Sequence, residues 1–175
     1  MASTGLDFSL RACGPGCEEK LALVGAASFL EAFAGSLPGE DILAHCRNQH
    51  SAAKYAAMLA DAQTHACLAE AKDAPVGYAV VCPPDLPVPV GPDDYELKRI
   101  YLLHRFQGAG LGRRLLEWSV AQARELGKRR LLLGVKADNT AALAFYDRVG
   151  FVRIGVRKFL VGSMLCDDYI LSLLL

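Results

Sequence analysis

A short glycine-rich segment, RFQGAGLGRR at residues 105–114, lies between an apolar, strand-like run and an amphipathic run with helical period. Three glycines alternate within it, at Gly108, Gly110 and Gly112. Because glycine has no Cβ, such a segment can turn sharply and bring its backbone N–H groups close to a ligand. The first turn of the following helix adds unpaired N–H donors and the positive end of a helix dipole. The sequence therefore predicts a strand, a phosphate-binding loop and a helix in this order.

The chain is 175 residues long, which fits a single domain over residues 1–175 with a sizeable core. Its 19 basic residues balance its 19 acidic ones. Nucleic-acid binding needs a basic footprint, so we expect no nucleic-acid partner. The opening MASTGLDFSLR lacks the pattern of a signal peptide, and no apolar run approaches the ~20 residues that span a bilayer. We therefore expect a cytoplasmic protein without a membrane partner.

Six cysteines, at positions 13, 17, 46, 67, 82 and 166, show no CxxC pair. Without an export signal, this spacing indicates reduced and mostly buried thiols rather than a disulfide framework. His45, Cys46 and His50 could be imagined as metal ligands, but no second ligand cluster lies at the spacing of a zinc finger. We therefore expect no metal site.

The predicted elements form a helical block after a first short strand, then a hairpin, a strand–loop–helix–strand–helix run and a closing hairpin. The strands are expected at 8–11, 64–70, 76–82, 95–103, 130–135, 151–160 and 164–174, and the helices at 17–34, 38–50, 52–61, 111–126 and 141–148. Five prolines in residues 83–92 favour an extended connection there. This order predicts one mixed α/β (α+β) domain.

Three known phosphate motifs compete for the glycine segment. A P-loop needs Lys-Ser or Lys-Thr after its last glycine, which is absent here. A dinucleotide-binding fingerprint reads GxGxxG near the first strand of its fold, whereas these glycines read GxGxG in mid-chain. A protein-kinase loop needs downstream Asp motifs and a longer chain. The spacing therefore disfavours all three.

Two segments together resemble the GNAT superfamily of N-acetyltransferases. The first, QGAGLG from Gln107 to Gly112, fits the pattern Q/R-x-x-G-x-G/A, and the second, from Asn139 to Phe151, reads NTAALAFYDRVGF. The resemblance implies a mixed, mostly antiparallel central sheet of six to seven strands flanked by helices and splayed between the fourth and fifth strands. The segments FLEAFAG, APVGYAV and ELKRIYLL are further similar to the bacterial spermidine/spermine N-acetyltransferase branch. Cys166 departs from that branch, where glutamine is expected.

The resemblance also implies an acetyl-CoA (coenzyme A) site on the strand at 95–103 and on the glycine loop. The backbone of this strand would pair with the pantetheine arm, and the loop amides would hold the pyrophosphate. The cofactor-binding residues implied are Ile100, Tyr101, Leu102, Gln107, Gly108, Ala109, Gly110, Leu111, Gly112, Arg113, Asn139 and Tyr146. Since backbone donors bind the anion, an electroneutral protein can hold a polyanionic ligand.

Three groups are candidates for the chemistry of acetyl transfer. The resemblance identifies Tyr146 as the general acid for the leaving thiolate, although a helix tyrosine can also simply pack on the core. The acceptor amine must lose a proton, and Glu96 is the candidate base, with a water chain or a merely exposed strand carboxylate as alternatives. The backbone N–H of Leu102 would stabilise the oxyanion. Asn139 can be a helix N-cap, a cofactor contact or both.

The expected acceptor is a small polyamine such as spermidine or spermine. The resemblance is its main support, and it is joined by acidic residues that could attract a cationic amine: Glu31, Asp93, Asp94, Glu96 and Asp168. The alternatives are a protein N-terminus or lysine, an amino acid or antibiotic amine, and a catalytically silent acyl-CoA-binding module. The apolar C-terminal strand, if it lies at an edge of the sheet, could pair two chains into a homodimer.

Overall fold

The structure, a computed structural model, describes residues 7–175. Residues 1–6 lie outside this range, and they make up much of the segment for which we predicted no signal peptide. The strands are β1 Phe8–Ala12, β2 His65–Ala71, β3 Ala74–Cys82, β4 Asp94–Leu102, β5 Arg130–Lys136, β6 Val152–Val161 and β7 Met164–Leu174. The helices are α1 Glu18–Phe33, α2 Gly39–Gln49, α3 Ala52–Leu59, α4 Leu111–Glu125 and α5 Thr140–Val149. Each predicted element is present within a few residues of its expected bounds.

The seven strands form one sheet in the order β1-β2-β3-β4-β5-β7-β6. Only β4 and β5 run parallel, and every other neighbouring pair is antiparallel. The predicted mixed, mostly antiparallel sheet flanked by helices is confirmed.

β4 and β5 pair only at their first residues, where Asp94, Tyr95 and Glu96 lie opposite 130–132. Beyond Glu96 both strands continue but no longer pair, so a V-shaped gap opens between them. A register shift between Val80 and Val81 of β3 faces this part of β4, and such bulges bend a strand and increase its twist. The splay predicted between the fourth and fifth strands is therefore present.

Helices cover the two faces of the sheet differently. α4 and α5 pack on one face, which we call the α4 face, over a core that includes Leu115, Leu131 and Phe151. α1 and α3 pack on the opposite face, the α1 face, against the β2–β3 hairpin. On the same face, between these helices and β6, Leu86 of the proline-rich connection packs on Leu132 of β5. The gap is thus walled by helices on the α4 face and bordered by different elements on the α1 face.

The turns and caps follow local sequence rules. Ser51 caps α3 by accepting a hydrogen bond from the Lys54 amide at 3.2 Å, as its residue type predicts. The β2–β3 turn is tighter than the predicted Lys72–Pro75, because β3 already begins at Ala74. Lys72 and Asp73 alone span it, both with positive φ, as two-residue hairpin turns require.

Two further findings bear on the expected partners. β7 lies between β5 and β6, so the C-terminal strand is not an edge, and the route predicted for a homodimer through it is wrong. β6 takes the edge position instead. Within residues 7–175, the helices are all too short or too polar to cross a membrane.

Candidate active site

The backbone of β4 lines one side of the gap. Leu103 N donates to Val76 O at 2.9 Å, and Gly77 lies opposite Leu102. Because hydrogen-bonded and non-bonded pairs alternate in antiparallel strands, the main-chain groups of Ile100 and Leu102 point away from β3, into the gap. Those of Tyr101 point towards β3. The prediction that the backbone of all three residues faces the ligand is therefore corrected. Ile100 and Leu102, but not Tyr101, offer backbone groups to a ligand in the gap.

The glycine loop follows β4 at the mouth of the gap. Gly108 and Gly110 have φ values of +82° and +79°, which explains why residues without Cβ stand there. The first backbone bond into α4 runs from Arg114 N to Gly110 O at 3.1 Å, so the preceding amides of the first turn are left for a ligand. Gln107 ties the loop to β4, since its Nε2 donates to Leu102 O at 3.1 Å.

A Cβ added at any of the three loop glycines would meet no atom within 4 Å. The space beside these glycines is therefore open rather than filled by neighbouring side chains. A helix N-terminus with a positive dipole end and open backbone donors fits a pyrophosphate.

Tyr146, in the last turn of α5, approaches the gap from the α4 face. It is 6% exposed, and its ring packs at 5.3 Å against the rings of both Phe145 and Phe151. Burial, with a smaller contribution from the neighbouring phenol of Tyr101, raises the pKa of Tyr146 well above its usual range. The hydroxyl therefore stays protonated at neutral pH, as a proton donor to a thiolate must.

Asn139 caps α5. Its Oδ1 accepts a hydrogen bond from Ala142 N at 3.1 Å, so the N-cap prediction is confirmed. The side-chain amide nitrogen keeps its two protons for another partner. Its contact with a cofactor stays a prediction.

Glu96 lies at the vertex of the gap and is 2% exposed, so the alternative of an exposed strand carboxylate is wrong. Its Oε2 accepts from the Asp85 amide at 2.8 Å, and its Oε1 lies 3.4 Å from Lys98 Nζ. The contact with Asp85 places the carboxylate on the α1 face. It is thus held at the point where the two strands part.

A ligand that carries an acyl group and binds along β4 would bring its reactive end to this vertex. The helices cover the α4 face of the gap. Residues 27–151 match the model of the acetyltransferase (GNAT) family. The chain belongs to this family. It is thus an acetyl-CoA-dependent N-acetyltransferase of the GNAT type, with the fold that the two motifs imply.

Individual proteins agree with this assignment. An uncharacterized N-acetyltransferase of Mycobacterium tuberculosis is 31% identical over 153 residues, covering 87% of this chain and 94% of that protein. The N-alpha-acetyltransferase RimI of the same organism is 43% identical over 67 residues, which are 38% of this chain and 40% of RimI. A PaiA N-acetyltransferase from Thermoplasma acidophilum, solved in complex with coenzyme A, has a TM-score of 0.76 at 20% identity, covering 97% of this chain and 99% of that one.

In this GNAT chain, most of the carboxylates expected to attract a polyamine are already paired. Asp94 accepts two bonds from Arg130 at 2.6 and 2.7 Å, which hold the pKa of that carboxyl below its usual value. Asp168, on β7, accepts two bonds from Arg157 at 2.9 and 3.0 Å. Glu96 has the partners given above.

The remaining two carboxylates of that set are exposed. Glu31 accepts a hydrogen bond from the His104 amide at 2.9 Å, just after β4 ends. Asp93 precedes β4 at the closed end of the β4–β5 pair. The acidic residues therefore do not converge on one site.

The GNAT site has two neighbours that our sequence reasoning missed, Arg99 and Arg157. Arg99 on β4 donates to Gln49 O at 2.9 Å and to Gln49 Oε1 at 3.3 Å, at the end of α2. Arg157 on β6 lies over Gly134 of β5, where an added Cβ would come within 2.6 Å of Nη2. A glycine inside an apolar strand was the available signal, since it indicates close approach of another group.

His45 and His50, the two histidines of the imagined metal cluster, have packing roles. His45 stacks on Phe29 with ring centroids 4.0 Å apart, and His50 Nδ1 lies 2.9 Å from the Tyr55 hydroxyl. Burial, followed by the charges of Arg99 and His45, lowers the pKa of His50 to about 3, so its ring is neutral at physiological pH. Cys166 is likewise buried, against Phe29 and other apolar side chains of α1 and α2. These contacts join the α1–α3 block to the sheet beside the gap.

Proposed function

We propose that the chain transfers the acetyl group of acetyl-CoA directly to a primary amine that binds on the α1 face of the gap. The observation that carries this proposal is the gap itself. Its β4 side offers the main-chain groups of Ile100 and the N–H of Leu102, whose carbonyl is held by Gln107, and these lead to the open amides before Arg114. Acetyl-CoA supplies the thioester and a stable leaving group. Because α4 and α5 wall the other face, the amine has access from the α1 face.

Each of three residues has one step in this mechanism. Glu96, at the vertex, takes the proton of the ammonium group through a water, since both of its oxygens already have donors. The amine lone pair then forms the C–N bond at the acetyl carbonyl, and the Leu102 N–H donates to the oxygen on which charge develops. The C–S bond breaks, and Tyr146 donates its phenolic proton to the departing thiolate. The nitrogen, which still carries one proton too many after the attack, releases it through water to the Tyr146 phenolate, and Glu96 returns its proton to solvent. The products are an N-acetyl amide and free coenzyme A.

Several finer predictions remain predictions within this proposal. They are a polyamine acceptor such as spermidine or spermine, a homodimer and a cytoplasmic location. The resemblance to the spermidine/spermine branch supports the polyamine, whereas the ion pairs of Asp94 and Asp168 remove two carboxylates that would attract one.

The test is a free-thiol assay with acetyl-CoA and a panel of amines. We expect thiol release that depends on an added primary amine, with one N-acetylated product per coenzyme A formed. The panel contains spermidine, spermine, free amino acids, lysine-containing peptides and aminoglycosides. Binding of acetyl-CoA without turnover on any amine would contradict transfer and support a silent acyl-CoA-binding module. Turnover only on peptides would exclude the small polyamine.

Glu96→Gln should lower kcat/KM by about 100-fold, within the range typical of general-base catalysis. Glutamine keeps the shape of the side chain and an oxygen for the Asp85 amide, but it cannot take a proton. Glu70→Gln is the matched control, because Glu70 is also buried on a strand and paired, with Arg11 and Lys20. Steady-state rates across pH measure the effect. Equal losses in the two variants would mean that Glu96 acts through stability alone.

A further inference from the structure

Ion pairs and arginines border the α1 face of the gap. Beside the gap, Glu96 pairs with Lys98, Asp168 with Arg157, and Lys136 with Asp138. Lys158 likewise contacts Asp167. Within residues 7–175, Arg99 has no carboxylate within ion-pair distance, and its partners are the two oxygens of Gln49. In this range the Arg99 guanidinium thus donates to uncharged oxygens.

Arg99 and Arg157 stand on opposite arms of the gap. Arg99 lies three residues beyond the vertex on β4, on the α1 face, where its guanidinium also covers the Tyr55 ring at 5.1 Å. Arg157 covers Gly134, two residues beyond the vertex on β5. On β4, Tyr101 stacks on Tyr78 with ring centroids 5.8 Å apart. The two groups therefore border the side from which the amine has access.

Arg157 keeps donor capacity in spite of its ion pair. Its Nε and Nη2 both donate to a single oxygen of Asp168, Oδ2. A guanidinium has five N–H donors, so the Nη1 edge remains. The side chain is 19% exposed, so part of it remains accessible.

We propose that the acceptor amine carries a carboxylate, as a free amino acid does, and that Arg99 and Arg157 bind this carboxylate on the α1 face of the gap. This inference rests on the proposed function. A carboxylate accepts charge-assisted hydrogen bonds from guanidinium groups, and the planar fork of arginine matches its geometry. A polyamine would instead place extra ammonium groups beside these two cations.

The space beside the gap suits a small acceptor. An open cavity of about 400 Å³ lies at the end of the β5 arm, where its lining includes Lys136, Met164 and Cys166. This volume falls within the range of small-molecule sites. Two charged residues of its lining, Lys136 and Asp167, are already paired with Asp138 and Lys158. The carboxylate is therefore drawn towards the arginines rather than into the cavity.

The test compares acceptors that differ only in the carboxylate. Initial rates with acetyl-CoA are measured for each proteinogenic amino acid and its amide, with spermidine and spermine alongside. For the best acceptor, we expect kcat/KM of the free acid to exceed that of the amide by at least about tenfold, the effect of one charge-assisted hydrogen bond. Amides that react equally well, or a polyamine as the best substrate, would overturn the inference while leaving the proposed acetyl transfer intact. No turnover on any amine would contradict both.

Variants assign the preference to these side chains. Arg99→Gln should reduce the acid-over-amide ratio about tenfold, because the charge that selects the acid is lost. Arg99→Lys should restore part of it. Arg157→Lys tests the second arm without leaving the buried Asp168 unpaired. The matched control is Arg153→Gln, on the same strand as Arg157 but with its guanidinium stacked 3.7 Å from the Tyr169 ring. An unchanged ratio in both Arg99→Gln and Arg157→Lys, with normal acetyl-CoA affinity, would contradict the roles of these arginines.

Discussion

Gly110→Asp should raise the Kd for acetyl-CoA by at least about 100-fold, a loss of about 2.7 kcal/mol. Gly110 is the N-cap of α4, with φ at +79°, and lies among the amides expected to hold the pyrophosphate. A carboxylate there adds a negative charge beside a polyanion and fills the open side of the loop. Titration calorimetry with coenzyme A measures the effect directly.

Two controls separate charge from backbone strain. Gly110→Asn has nearly the same shape without the charge, and asparagine tolerates a positive φ, so it should retain much more affinity than the aspartate variant. Gly16→Asp places the same residue at another open glycine with positive φ, +96°, far along the chain from the loop. It should bind coenzyme A normally. Equal affinity of the Gly110 aspartate variant and the unmodified protein would disprove the placement of the pyrophosphate.

Tyr146→Phe should lower kcat by about 100-fold and leave the Kd for acetyl-CoA within about twofold. Phenylalanine keeps the ring that packs on Phe145 and Phe151, so the fold is preserved and only the proton donor is lost. Single-turnover measurements with a reactive amine distinguish this chemical step from product release. A normal rate in the variant would show that Tyr146 is only a packing residue.

The pH dependence provides a second check on Tyr146. Because its pKa is raised, the phenol remains the acid form throughout the neutral and mildly alkaline range, and loss of its proton sets in only above the ordinary tyrosine value of ~10. The rate should therefore show no alkaline decline from Tyr146 below that pH. Tyr169→Phe is the matched control, since Tyr169 is a half-buried tyrosine of β7 beneath Arg153. It should leave both kcat and its pH profile unchanged.

Particular residues show how far sequence reasoning reached into the site. Gln107, Gly108, Gly110 and Asn139 lie in short segments where local rules hold, so their loop and cap positions were predictable. The backbone direction at Tyr101 was not, because it depends on which pairs between β3 and β4 are hydrogen-bonded. That pairing is a property of two strands and has no signature in either one.

Charge was the least predictable property. Residues that are distant along the chain can be neighbours in the fold. The sequence therefore does not tell which cation pairs with Glu96 or with Asp168. Folding brings Arg157 to Asp168 across the β6–β7 hairpin and Arg99 to the end of α2. Two of the acidic residues that appeared to attract a polyamine, Asp94 and Asp168, are thus partners of arginines.

The sequence by itself determined the order of elements, the position of the glycine-rich loop and the family, since these depend on residues that are neighbours along the chain. Hydrophobic period, capping residues and glycine spacing act over one or two turns, and they need no knowledge of the remaining fold. Only the tertiary structure decided where the pairing of β4 and β5 ends, the direction of the backbone groups in the gap and the ion pairs beside it. These depend on pairings between distant strands, because each carboxylate is neutralised by whichever cation the topology brings within a few ångströms.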